Sequence, residues 1–140
     1  MAKFIDANVL IRHIAADHPV HSPAAKQLIA EIEAGQLAVW TTDLIIAEVV
    51  WVLTSRSLYS MSRNLVQDTL IPIIELQSLH LDGKRLYRRV FEIFVSTNVD
   101  FIDAVHAARV EQLDPPHLFS FDRDYDRVPS VVRIEPTTEQ

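Results

Sequence analysis

The chain has 140 residues, 49% of them hydrophobic, and a formal net charge of -6. That size suits one domain with a buried core and excludes a disordered segment, while the acidic balance excludes a protein that works chiefly through a broad basic surface. No apolar run approaches the roughly 18 residues of a membrane span. Cysteine is absent, which excludes disulfides and thiolate metal sites and fits a cytoplasmic setting. The start, MAKFIDANVL, has too short an apolar segment for a secretory signal and lacks a small-residue cleavage site.

In chain order, Lys3 to Asp6 reads as a short buried strand, and Asn8 can cap a helix running to about Ala16. Pro19 and Pro23 open a helix from Ser22 to about Ala34, which Gly35 ends. Leu37 to Thr41 reads as a strand, and Thr42 or Asp43 caps a helix through about Ser55. Ser62 begins another helix, with Leu65, Val66, Thr69, Leu70 and Ile73 at helical spacing, which Pro72 is expected to end or kink. Leu76 to Leu81 reads as a strand, and Gly83 separates it from a helix over Lys84 to Thr97. Asp103 starts a short helix to about Gln112, which Pro115 and Pro116 follow. His117 to Phe121 and Val131 to Ile134 read as the last strands. With only Gly35 and Gly83 in the chain, no glycine-rich phosphate loop is available. The basic group Lys84, Arg85, Arg88 and Arg89 reads as a solvated helix face.

Strands alternating with helices imply an α/β fold with a mostly parallel sheet covered on both faces, and functional residues directly after strands. Asp6 follows Phe4-Ile5, and Asp122 follows Leu118-Phe119-Ser120-Phe121, although helix caps and turns also favour Asp. Glu48 has Leu44, Ile45, Trp51 and Val52 three and four positions away, so its carboxylate projects from a face that reads as buried. A buried carboxylate needs a partner, either an arginine or a metal ion shared with other acids. Asp103 can be a plain N-cap, and Asp100 competes with it. His106, on the same helix face, can be a general base or simply a packed side chain. Four converging carboxylates would repel one another without a cation, and oxygen-only ligands suit Mg²⁺ or Mn²⁺. Phosphodiester hydrolysis is the reaction that this equipment serves best.

The ordered segments FIDANVLIR, IIAEVVWVL, VDFIDAVHAA and FSFDRDYDRV resemble the PIN-domain nucleases, from Met1 to about Ile134. The likeness is greatest to the single-domain toxins of VapC type. It implies an α/β/α sandwich at residues 1–135 with a C-terminal tail at 136–140, and Mg²⁺- or Mn²⁺-dependent endoribonuclease activity. By motif, Asp6, Glu48, Asp103 and Asp122 match the family's four catalytic, metal-binding acids, and Asp100 fits a DFxD pattern that can share the third role. Asn8 and Ser120 match the supporting polar positions, with Ser where Thr is commoner, and Asp124 and Asp126 match none. Arg12, His13 and Arg123 are candidates to steer the RNA backbone. The implied partners are RNA, an antitoxin whose C-terminal segment covers the acids, and a second copy of the chain. A non-catalytic PIN-like binding module is the alternative. A phosphoacceptor receiver domain would need paired acids near residue 6 and a lysine after a late strand, and no lysine follows Lys84.

Overall fold

A computed structural model of the chain describes residues 2–139. They fall into two compact units that divide between Lys84 and Arg85.

The first unit contains strands β1 (Lys3–Phe4), β2 (Val39–Trp40) and β3 (Leu79–His80) and helices α1 (Ala7–Ala15), α2 (His21–Glu33), α3 (Asp43–Thr54) and α4 (Arg63–Ile74). The strands form a parallel sheet in the order β1-β2-β3, in the register Phe4↔Trp40↔His80. Ile5, Val39, Thr41, Leu79 and Leu81 are buried, while Phe4, Trp40 and His80 alternate with them and are exposed. The Trp40 and His80 rings stack with centroids 4.7 Å apart. Helix α1 packs on α2 and α3, and α3 packs on α4. Leu10, Ile32, Ile46, Leu53, Leu70 and Ile74 lie at the centre of this core.

Local chemistry sets several of the helix ends. Thr42 accepts a hydrogen bond from the Ile45 N–H at the head of α3, and Ser62 does the same for Leu65 at the head of α4. Gly35, at φ 76°, lets the chain leave α2 through the left-handed region. Two expectations are corrected. Asp6, not Asn8, is the N-cap residue of α1. Of the two outcomes expected of Pro72, an end or a kink, the end does not occur, since α4 runs two residues further to Ile74. Proline forfeits one hydrogen bond in the last turn, while buried Ile73 and Ile74 hold that turn in place.

The second unit contains a 3-10 turn ending at Leu86, helices α5 (Tyr87–Thr97) and α6 (Phe101–Val110), strands β4 (His117–Phe119) and β5 (Val132–Ile134), and a 3-10 turn at Arg123–Arg127. Strands β4 and β5 pair in parallel, His117 opposite Val132. Helices α5 and α6 pack through Tyr87, Phe91, Phe94 and Phe101, with the Phe91 and Phe101 centroids 5.3 Å apart. The N-cap of α6 is Asp100, so Asp103 stands inside the first turn rather than at the cap as expected.

The basic group is only in part the solvated face that its sequence suggests: Arg85 and Arg88 are exposed, but Lys84 and Arg89 are engaged. Lys84 donates to the carbonyls of Leu76 and Leu79 at 2.8 and 2.7 Å, and burial lowers its pKa. Arg89 is held by Glu111 and Glu92. All strand pairing among the described residues is parallel, and the chain is of the α/β class with the parallel strands that the sequence predicts. Among the described residues, no helix is long and apolar enough to cross a membrane.

Candidate functional site

In the second unit, two segments meet around a group of carboxylates. One is the first turn of α6, which carries Asp103. The other is the turn after β4, which carries Asp122 and Asp124. Oxygen atoms of Asp103, Asp122 and Asp124 all lie within 4.8 Å of one another. The turn is tied locally. Ser120 Oγ accepts from the Asp122 N–H at 3.0 Å, and Asp122 Oδ1 accepts from the Asp124 N–H at 2.9 Å. Arg133 braces the same turn by donating to the Ser120 carbonyl and to Asp126.

Asp103 is half-buried and accepts a hydrogen bond at Oδ1 from the Tyr125 hydroxyl, at 3.1 Å. Burial holds its pKa above the usual carboxylate value. The Tyr125 hydrogen bond opposes that rise, and the charges of Asp122 and Asp100 add to it. Tyr125 itself is only 6% exposed, and burial together with the Asp103 charge pushes its pKa up to about 12. His106 Nδ1 lies 3.1 Å from the same hydroxyl. His106 is exposed, so it is not the packed side chain that its small neighbours suggest.

Asp100 acts on Asp103 through its charge but is outside the group of three. Asp124 and Tyr125 are the residues that sequence reasoning missed. The signal available was the FDRDYDR run itself, which puts three acids and a buried ring into one short turn. Arg123 is exposed on this turn, and Asp124 forms an ion pair with Arg127 at 3.4 Å.

In the first unit, Asp6 stands two residues after β1 and is exposed. It occupies the N-cap position of α1, yet its carboxylate makes no cap hydrogen bond. Asn8 is also exposed, beside Val9 and Arg12 in a cleft of about 410 Å³, and Arg12 pairs with Asp17 at 3.6 Å. His13 Nδ1 is buried without a hydrogen-bond partner among the described residues, and burial lowers its pKa.

Glu48 corrects a central inference from the sequence. It is exposed, and its neighbours Leu44 and Trp51 are 79% and 66% exposed. The buried stripe of α3 is instead Ile46, Val49, Val50 and Leu53. Because α3 is apolar nearly all round, periodicity could not tell which side faces the core.

The three clustered carboxylates suit a hard divalent cation. They are oxygen donors at mutual distances that one ion can bridge, no thiolate is present in the chain, and the repulsion between Asp103 and Asp122 favours a bound cation. No curated protein matches the chain. The model of the PIN domain, whose members are typically metal-dependent nucleases that bind RNA, matches residues 3–131. With nearly the whole length matched, the chain belongs to the PIN domain family.

Proposed function

We propose that this chain is a Mg²⁺- or Mn²⁺-dependent endoribonuclease, acting as the toxin of a toxin–antitoxin pair. The observation that carries the nuclease reading is the approach of Asp103, Asp122 and Asp124 within 4.8 Å in a PIN domain. Asp103 and Asp122 would hold the cation, with Asp124 beside them. By the family pattern of their motifs, Asp6 and Glu48 are also catalytic acids in this reading, with Asn8 and Ser120 in support. A bound divalent ion lowers the pKa of its water and offsets charge developing on the phosphate.

The chain's own residues supply the rest. Glu48 binds the cation or orients the attacking water. The water oxygen bonds to phosphorus as the 3′ oxygen leaves, and the water's proton ends on that oxygen, giving a 5′-phosphate and a 3′-hydroxyl. Arg12, His13 and Arg123 offer positive or hydrogen-bonding groups to the RNA backbone. The exposed row Phe4, Trp40 and His80 supports an unpaired substrate, because open aromatic faces stack on bases.

The toxin reading rests on the likeness of the four motifs to VapC-type chains. It brings an antitoxin partner and a second copy of the chain, and the exposed Leu44 and Trp51 on α3 supply apolar area for one of them. The test is direct. Purified protein is incubated with RNA, with Mn²⁺ or with EDTA, beside Asp103→Asn. Metal-dependent cleavage that the variant lacks supports the nuclease, whereas no cleavage of several RNAs points to a non-catalytic RNA- or protein-binding module. Growth arrest on induction, relieved by a short reading frame immediately upstream, tests the toxin role.

A further inference from the structure

We propose that Tyr125 and His106 are positioning residues that fix the Asp103 carboxylate for cation binding. This rests on the metal-nuclease reading above and assigns roles to two residues outside the acid set.

The geometry is directional. The Tyr125 hydroxyl lies 3.1 Å from Asp103 Oδ1 and 3.1 Å from His106 Nδ1. A phenol has one hydrogen to donate, and an ionised carboxylate can only accept. The hydroxyl therefore donates to Asp103, and His106 must donate to the hydroxyl from Nδ1–H. The chain His106 Nδ1–H to Tyr125 Oη–H to Asp103 Oδ1 has a single sense, and it sets the imidazole tautomer.

Two parts of the fold supply the members. Asp103 and His106 are three residues apart in α6 and so share a face. Tyr125 comes from the turn after β4, next to Asp124, with its ring buried. A phenylalanine would fill that space equally well. The hydroxyl does what the ring does not: it limits how Asp103 can rotate, while the carboxylate keeps further lone pairs for a cation. Hydrogen-bond partners of this kind orient a ligand, and losing one typically lowers metal affinity about 10–100-fold.

The test is titration of the full chain with Mn²⁺ alone, by calorimetry or by the Mn²⁺ paramagnetic signal, without RNA. Tyr125→Phe is expected to weaken Mn²⁺ about tenfold or more while the circular dichroism spectrum is retained. His106→Ala, at an exposed position, is expected to weaken it in the same direction. His106→Asn, whose side-chain N–H can replace Nδ1–H, is expected to restore part of the loss. A purely structural role for Tyr125 would shift thermal stability and leave Mn²⁺ affinity unchanged. Equal affinity in wild type, Tyr125→Phe and His106→Ala overturns the inference while the nuclease reading stands. Failure of the wild-type chain to bind Mn²⁺ overturns both.

Discussion

Arg89 grips Glu111 with a two-pronged hydrogen bond, Nε to Oε1 at 2.8 Å and Nη2 to Oε2 at 2.6 Å. The contact joins α5 to the C-terminal end of α6, and Ser130 adds a hydrogen bond to the same carboxylate. The Arg89 hydrogen bonds hold the Glu111 pKa below the ordinary glutamate value, against the opposing effect of burial. Glu111→Ala is expected to cost about 1–3 kcal/mol at neutral pH, since it leaves a partly buried guanidinium short of a partner. A depressed carboxylate pKa gives stability that is present above the unfolded value, 4.5, and lost as pH falls through the folded value. Urea unfolding across pH should therefore show wild type and variant converging below about pH 4.5. A constant gap would mean that the charge of Glu111 contributes nothing.

The Asp103 group should behave in the opposite sense. Its raised pKa means that stability is greatest while the carboxyl is protonated and falls as pH rises through the folded value. In EDTA, Asp103→Asn is expected to match or exceed wild-type thermal stability at neutral pH, because one repelling charge is gone. In Mn²⁺ the order should reverse. A ligand at 100 times its dissociation constant stabilises by about 2.7 kcal/mol, and the variant should lose most of that. Thermal melts in the two buffers decide it, and equal Mn²⁺ stabilisation in both proteins would remove Asp103 from the metal set.

Asp6 and Thr42 occupy the same kind of position, each directly before a helix, but they are engaged differently. Thr42 makes its cap hydrogen bond at 3.3 Å, and Asp6 makes none. Thr42→Ala is expected to cost about 1 kcal/mol and leave cleavage intact. Asp6→Asn is expected to change stability by less than about 0.5 kcal/mol and abolish cleavage. Denaturant midpoints and RNA cleavage rates on the same preparations check both. Full activity of Asp6→Asn at saturating Mn²⁺ would sink the catalytic assignment.

Trp40 is exposed and stacked on His80, so its removal should leave the core untouched. If bases stack on this row, Trp40→Ala should weaken binding of single-stranded RNA by about 1–3 kcal/mol. A binding titration on a catalytically dead background reads this. Unchanged affinity would place the RNA elsewhere.

The sequence by itself determined where some helices begin or stop. Thr42, Ser62 and Gly35 act on backbone groups within three or four residues, so their effects are readable locally. It also determined the order of motifs that marks the family. The side of α3 that faces the core was not readable. A helix apolar on all sides has no preferred face until its neighbours pack, and packing left Glu48 in solvent. The start of α6 reads from the sequence as Asp103, but Asp100, an acid about one turn earlier, takes the cap position. Only the tertiary structure brought Tyr125 to Asp103 across 22 residues of chain, and Asp124 into the carboxylate group. That meeting depends on how the turn after β4 docks against the head of α6, and no local propensity encodes it.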